Sequence, residues 1–160
     1  MNKDEIQAWL TQLKKPVDPD GLWIIKLIST KVRTLNANRF YWALNARLVD
    51  VLDKPELELH VELLRKYGTT KVDEDGVPMV YKMPSEVPLE KIYKYVDIVE
   101  DFGQYRTWRI LKGSSELSPS EMRIFLDGVI DECHEVGVRV DIKPKQYEDM
   151  IERWAQDYGE

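Results

Sequence analysis

The most constraining feature of the sequence is the segment 118–137, which carries the start and stop signals of one helix. Ser118 is a favoured N-cap residue, and Pro119 is favoured at the first helical position. Glu121 stands three residues after the cap, where it completes a capping box. Gly137 is a typical left-handed terminator. The segment therefore predicts a helix of about five turns, and other elements must pack against its apolar side.

That apolar side follows from the spacing of the large hydrophobic residues, which recur every three or four positions as on one face of a helix. The residues of this stripe are Met122, Phe125, Leu126, Val129, Ile130, Cys133 and Val136. Because Cys133 is the only cysteine in the chain, an intramolecular disulfide and a metal site made of cysteines alone are excluded.

A second helix is predicted over residues 35–52, a stretch with no glycine or proline and with Thr34 as its N-cap. Its core stripe is predicted to be Ala37, Phe40, Leu44, Leu48 and Val51. The opposite side holds Leu35, Asn38, Arg39, Trp42, Asn45 and Val49. Because this second face is partly apolar, we expect it to contact another part of the protein or a binding partner. The region of Trp42 and Val49 is a candidate subunit contact.

The first half of the chain contains three further predicted elements. They are an amphipathic helix at 4–14, a loop at 16–21 and a buried strand at 22–29. Another helix is predicted from Pro55 in its first turn to Tyr67, before Gly68. The apolar line of that helix is predicted to be Leu57, Val61 and Leu64.

The second half alternates turns, strands and helices. We predict a hairpin around Asp75 and Gly76, then a short helix from Leu89 that gives way to a strand. Residues 104–112 read as a strand with Trp108 and Ile110 on one side. A final helix begins at about Lys145 and carries Tyr147, Ile151 and Trp154.

These elements predict an α+β fold in which a small antiparallel sheet or hairpins pack with four to five helices. We expect residues 1–20 to form an N-terminal helix and loop, and residues 21–160 to form a single domain. The acidic N-terminus lacks the apolar run of a signal peptide, and no stretch approaches the roughly 18 apolar residues of a membrane span. We therefore expect a cytoplasmic protein without a membrane partner.

Charge is unevenly distributed along the chain. The net charge is −6, which argues against indiscriminate nucleic-acid binding through the global field. Yet residues 21–49 contain five Lys or Arg and no acid, and residues 102–115 contain three and no acid. Such segregation indicates an interaction face; its alternative is that buried elements simply avoid acids.

The sequence offers little material for catalysis. The adjacent Cys133 and His134 would diverge by about 100° on a helix, so they do not form a nucleophile pair. The segment "LKGSSELS" lacks the spacing of a phosphate-binding P-loop. Asp127, Asp131 and His134 follow helical spacing and could hold a divalent metal, which leaves a metal-dependent nuclease as an alternative. We otherwise predict no enzyme, no catalytic residue, no bound metal and no cofactor.

Non-covalent binding of single-stranded nucleic acid fits the composition better, because such binding combines cations with aromatic rings that stack on bases. Two groups supply both elements. The first is Tyr41 and Trp42 with Arg33, Arg39 and Arg47, and the second is Tyr105 and Trp108 with Arg106 and Arg109. Lys112, Ser114 and Ser115 could bind a backbone phosphate. The alternative is a protein-only adaptor or assembly factor whose aromatic rings lie in the core.

Two segments carry a resemblance to a known family. "RTLNANRFYWAL" resembles the Arg-Ser/Thr-Leu-x-Gln-Asn-x-x-x-Trp signature of the bacteriophage NinB proteins, also called Orf recombination proteins. "GSSELSPSEMRIFLDGVIDECHEVGV" is similar to the second signature of NinB-like proteins from phages of Gram-positive bacteria. The two blocks span residues 31 to about 142. Ala37 departs from the family pattern, since it replaces the glutamine of the first signature.

The resemblance implies a phage recombination mediator that binds single-stranded DNA, acts alongside the host single-strand-binding protein and helps to load a recombinase. It also implies an α+β fold in an intertwined homodimer with a basic cleft. Arg33, Asn38 and Trp42 match the first signature, and Ser115, Glu121 and Met122 match the second. Our candidate nucleic-acid-binding residues are Lys31, Arg33, Asn38, Arg39, Trp42, Arg47, Arg106, Trp108, Arg109, Lys112, Ser114 and Ser115.

Overall fold

The structure is a computed structural model, and it describes residues 36–158 together with Asp4. Within these residues it contains five α-helices and a three-stranded antiparallel sheet, which confirms the predicted α+β class. The helix predicted at 4–14, the loop at 16–21 and the strand at 22–29 lie outside the described residues.

The first helix, α1, spans Ala37–Leu52. Its N-cap is Asn36, whose Oδ1 accepts a hydrogen bond of 2.9 Å from the backbone N–H of Arg39. The prediction of Thr34 as the cap is therefore wrong by two residues, because the asparagine side chain satisfies this free N–H group instead. Val51 is also misplaced in the predicted core stripe: it lies in the last turn of α1 and is 50% exposed.

Helix α2 spans Glu56–Tyr67, with Pro55 just before it and Gly68 at its C-cap. The predicted bounds hold, but of the predicted apolar line only Leu64 is buried. Leu57 is exposed and Val61 is half-buried. The buried residues are Leu59, His60, Leu63 and Leu64. These fall on a face rotated from the predicted line, and they belong to the core shared with α1 and the later helices.

The sheet is formed by β1 (Val80–Pro84), β2 (Val96–Asp101) and β3 (Tyr105–Ile110), with β3 in the centre. Both neighbours pair antiparallel to β3, and β2 carries a bulge between Ile98 and Glu100. A short helix, α3 (Leu89–Ile92), precedes β2 as predicted. The predicted hairpin around Gly76 is reduced to a turn closed by one isolated bridge between Val72 and Pro78.

Helices α4 (Pro119–Glu135) and α5 (Pro144–Tyr158) complete the described fold. The predicted capping box of α4 is confirmed: the backbone N–H of Ser118 donates to Glu121 Oε1 at 2.8 Å, and Ser118 Oγ accepts from the N–H of Glu121 at 3.3 Å. Gly137 follows with a φ of 79°, as expected for a left-handed terminator.

Two hydrophobic cores result from this arrangement. The larger core lies among α1, α2, α4 and α5 and contains the predicted stripe of α4. The smaller one lies on one face of the sheet and consists of Leu89, Val96, Trp108 and Ile110. Among the described residues, no helix combines the length and the apolar character that crossing a bilayer would need.

Candidate functional site

A cavity of about 400 Å³ opens where α1 faces the turn that follows β3. Its lining residues are Asn38, Trp42, Lys71, Lys94, Tyr95, Leu111, Gly113, Ser114, Ser115 and Glu116. Four of the predicted site residues, Asn38, Trp42, Ser114 and Ser115, therefore meet at one place although about 70 residues separate the two pairs. This cavity is the candidate functional site.

A hydrogen bond joins the two sides of the cavity. Ser114 Oγ donates to Asn38 Oδ1 at a distance of 2.7 Å. Ser114 itself is buried, and it opens a single turn of 3₁₀ helix whose Glu116 carboxylate accepts from the backbone N–H of Gly113 at 2.8 Å. The turn is thus stabilised by its own hydrogen bond and by the bond to α1. Contacts within the protein therefore hold this wall of the cavity in place without a ligand.

Two aromatic side chains that line the cavity pack against the same buried histidine, His60. The ring of Trp42 lies 4.5 Å from that of His60, tilted by 35°, and Tyr95 meets the same imidazole edge-on at 5.1 Å. His60 Nδ1 is hydrogen-bonded to Tyr41 Oη at 2.6 Å, and Asn45 Nδ2 donates to the same Tyr41 oxygen at 3.2 Å. The aromatic walls therefore have a fixed backing.

The cluster of Tyr41, Asn45 and His60 behind the two aromatic rings is buried, and burial keeps its titratable groups neutral. Burial, together with the positive charge of Lys94, lowers the pKa of His60 to about 4. Burial also raises the pKa of the Tyr41 hydroxyl well above its ordinary value. At neutral pH this cluster consequently places an uncharged surface behind Trp42 and Tyr95.

Positive charge at the cavity comes from two lysines that the sequence did not single out. Lys71 Nζ lies 3.5 Å from a carboxylate oxygen of Glu116, and nearly half of the Lys71 side chain is exposed. Lys94 is exposed, with its Nζ 5.3 Å from the centre of the Tyr95 ring. The alternating "YKY" at 93–95 is the one local signal for this group, and nothing in the sequence indicated that it would face Trp42.

Three of the predicted cations are already paired with carboxylates. Arg106 pairs with Asp101 at 3.2 Å and Arg109 with Asp97 at 3.0 Å. Arg109 also donates to the backbone carbonyl of Arg65 at 3.0 Å. Lys112 pairs at 2.9 Å with the capping-box residue Glu121 of α4. None of the three lines the cavity, and their ion pairs give them structural partners.

The other predicted cations do not converge on the cavity either. Arg39 is exposed on α1 outside the lining, and Arg47 is half-buried with an enclosed Nε that finds no hydrogen-bond partner among the described residues. Lys31 and Arg33 lie outside the described residues. The described part of the chain therefore does not form a single groove that contains all of the predicted cations.

Two of the predicted stacking aromatics are core residues. Trp108 is 3% exposed and packs under the sheet, and Tyr41 is fully buried between His60 and Phe125. The expectation that these rings are open to bases is wrong, because alternation along β3 turns Trp108 toward the second core and Tyr41 follows the buried stripe of α1. Tyr105 does remain exposed, with Lys82 Nζ 5.8 Å from its ring centre.

The acidic row on α4, formed by Asp127, Asp131 and His134, does not form a metal site with the other described residues. Asp127 accepts a hydrogen bond of 2.5 Å from Tyr147 Oη, whereas Asp131 and His134 are exposed. Among residues 36–158, no three His, Cys, Asp or Glu side chains are arranged to hold a metal ion. The metal-binding row that the alternative hypothesis requires is accordingly not assembled in the described part of the protein.

Comparison with known proteins adds no assignment: no family model, no curated protein and no solved structure matches this chain. The functional interpretation therefore rests on the cavity itself and on the two sequence blocks that border it.

Proposed function

We propose that this protein is a non-catalytic, single-stranded DNA-binding accessory protein of phage recombination, of the NinB type. The observation that carries the proposal is the convergence of the two NinB-like sequence blocks on one cavity. Asn38 and Trp42 come from the first block and Ser114 and Ser115 from the second, and the cavity they line also contains two lysines and a tyrosine. Aromatic rings beside cations are what single-strand binding requires.

The proposal extends to the setting of such a protein. It would work in the cytoplasm of a bacterial host, as a homodimer, alongside the host single-strand-binding protein and a recombinase. The resemblance of the two blocks supports these partners. The partly apolar side of α1 supports the dimer, because Trp42 and Val49 on that side are only half-buried in the single chain.

The metal-dependent nuclease receives no support from the acidic row of α4, since Tyr147 engages Asp127 and no metal-binding group forms among the described side chains. The protein-only adaptor gains support from the burial of Tyr41 and Trp108, which it predicts. Trp42 and Tyr95 distinguish the two ideas, because an adaptor gives no reason for half-buried aromatic rings to border a cavity that also contains lysines.

Binding of fluorescently labelled oligo-dT, measured by anisotropy at several salt concentrations, tests the proposal. We expect binding that weakens as salt rises, because contacted phosphates release counterions. Unlabelled duplex of the same length should compete poorly. Labelled DNA incubated with Mg²⁺ or Mn²⁺ should stay intact. Absence of oligo-dT binding at low salt would refute the function, and cleavage that Asp131→Ala abolishes would establish the nuclease instead.

A matched pair of lysine variants tests where the DNA lies. Lys94→Ala removes a positive charge from the cavity, and Lys82→Ala removes an equal charge from the exposed sheet beside Tyr105. If the cavity binds DNA, Lys94→Ala reduces the affinity several-fold and reduces the salt slope by roughly 0.7, whereas Lys82→Ala leaves both nearly unchanged. Equal losses in the two variants would place the DNA elsewhere.

A further inference from the structure

The cavity has the size of a small-molecule site. Its volume of about 400 Å³ falls within the roughly 300–1,000 Å³ typical of pockets that enclose a small ligand. A strand bound here can therefore place one nucleotide inside while its neighbours stay outside. The question is which part of that nucleotide the cavity would hold.

The aromatic residues favour the base. Trp42 and Tyr95 both border the cavity and both rest on the buried ring of His60, at 4.5 and 5.1 Å. Because the imidazole is held by the Tyr41 hydroxyl at 2.6 Å, the two rings are positioned before a ligand binds. Stacking on a ring held in this way costs little ordering entropy, and a stacked base contributes roughly 1–3 kcal/mol.

The polar groups suit the rest of a nucleotide. Asn38 Oδ1 already accepts from Ser114 Oγ at 2.7 Å, so the amide nitrogen is the part of this side chain that is left to donate to a base. Lys71 and Lys94 can reach a phosphate at the mouth, since both are substantially exposed. Glu116 offsets part of the Lys71 charge at 3.5 Å, which limits the electrostatic share of the binding.

The cations outside the cavity also favour binding through the base. Arg106, Arg109 and Lys112 are each within 3.2 Å of a carboxylate oxygen, so much of their charge is already offset. Asp97 is shared between Arg109 and Arg65, which lies 3.7 Å from it. A long basic track between the cavity and β3 is thus missing from the described part of the chain. Among residues 36–158, the affinity of the cavity for a strand therefore has to come mainly from the base.

We propose that the cavity binds one unstacked nucleobase of a single strand, with the base against Trp42 and Tyr95, the Asn38 amide at its edge and its two flanking phosphates at Lys71 and Lys94. This inference rests on the proposed single-strand binding and specifies its mode. The strand is held by insertion of a base, and the contacted phosphates are few.

An oligonucleotide without bases separates the two claims. Oligo-dT and an oligomer of the same length made of abasic deoxyribose phosphates carry equal charge but differ in the bases. We expect the abasic oligomer to bind at least tenfold more weakly to the wild-type protein. Equal affinity for the two would overturn base insertion and leave the proposed function standing. No binding of oligo-dT would overturn the proposed function itself.

The salt dependence gives a second, independent measure. Two phosphate contacts predict a slope of log K against log salt concentration of about −1.4, whereas a groove using all seven predicted cations predicts about −5. A slope between −1 and −2 supports the cavity. A slope steeper than −4 would show that many phosphates are contacted, and base insertion would then not be the main mode.

Photo-crosslinking locates the base without altering the protein. Oligo-dT carrying one 5-iododeoxyuridine is irradiated in complex with the wild-type chain, and the crosslinked peptide is identified by mass spectrometry. We expect the crosslink at Trp42 or Tyr95. A crosslink at Phe102 or Tyr105, the exposed aromatic pair beside Lys82, would move the base to the sheet and refute the cavity site.

Discussion

Ser114 and Asn38 are 76 residues apart in the chain, and a hydrogen bond of 2.7 Å between Ser114 Oγ and Asn38 Oδ1 joins them across the cavity. One partner stands at the start of α1 and the other in the turn after β3. The bond links the larger helical core to the sheet at the point where both border the candidate site. It also connects the two distant sequence blocks directly.

Removing this bond should cost stability. We expect Ser114→Ala to lower the free energy of unfolding by about 1 kcal/mol, because a typical intramolecular hydrogen bond contributes that much and the buried hydroxyl has Asn38 as its partner. Urea denaturation measures the change. Ser115→Ala is the control, since Ser115 is exposed and should change stability by less than about 0.5 kcal/mol. Equal losses would show that the bond is not stabilising.

His60 should make the protein sensitive to mild acid. Its pKa is about 4 in the folded protein and 6.5 in the unfolded chain, so protons bind the unfolded state first as the pH falls. The full stability is therefore present above about pH 6.5 and is lost progressively toward pH 4. One pKa unit corresponds to about 1.4 kcal/mol, so the loss between pH 6.5 and 4.5 should be about 2–3 kcal/mol.

Denaturation curves at pH 7, 6, 5 and 4.5 check this expectation. His60→Gln should be less stable at pH 7 but should lose most of the pH dependence in this window. His134→Gln, which changes an exposed histidine, should keep the wild-type profile. If His60→Gln retained the wild-type pH dependence, another group would have to be responsible.

Gly128 should reject even a methyl group. A Cβ at this position of α4 would overlap the ring of Tyr67, whose hydroxyl donates to Glu132 Oε1 at 2.7 Å. Gly128→Ala should therefore destabilise by about 1–3 kcal/mol, although alanine in a helix normally stabilises by roughly 0.5–1 kcal/mol relative to glycine. Thermal or chemical unfolding shows whether the free energy of unfolding falls or rises. In a Tyr67→Ala background the same change should become neutral or stabilising, and an unchanged penalty there would exclude the ring as its cause.

Cys133 should be unreactive in the folded protein. Burial raises the pKa of its thiol to about 12, and the thiolate is the reactive form. We expect labelling by Ellman's reagent at pH 8 to be limited by unfolding and to become immediate in denaturant. Ser115→Cys in a Cys133→Ala background supplies an exposed thiol for comparison. Rapid labelling of native Cys133 would contradict its burial.

The sequence predicted those features whose causes are local. Ser118, Glu121 and Gly137 define α4 through groups within a few residues of each other, and the structure reproduces this capping in detail. The step from α3 into β2 was likewise visible in the pattern around Leu89. Such signals need no knowledge of the remaining chain.

Features that depend on packing between distant elements were missed. Helix α2 carries two overlapping apolar lines, and only contact with the other helices decides that Leu59 and Leu63 are buried while Leu57 is exposed. Lys71 and Lys94 gain their position at the cavity from the path of the chain around the sheet. The partners of Arg106 and Arg109 lie on β2, so their pairing follows from strand register and not from local composition.

The strand order has a kinetic consequence. Strand β3 pairs with β2 across a turn of three residues, at Phe102–Gln104, whereas β1 reaches β3 only after the chain has passed through α3 and β2. Closing the longer loop costs more entropy, so we expect the β2–β3 pair to form early and β1 to dock late. Ile98 and Tyr81 flank the same Trp108 from opposite sides. Ile98→Ala should then slow folding, and Tyr81→Ala should chiefly speed unfolding; stopped-flow measurements showing the opposite would reverse this order of assembly.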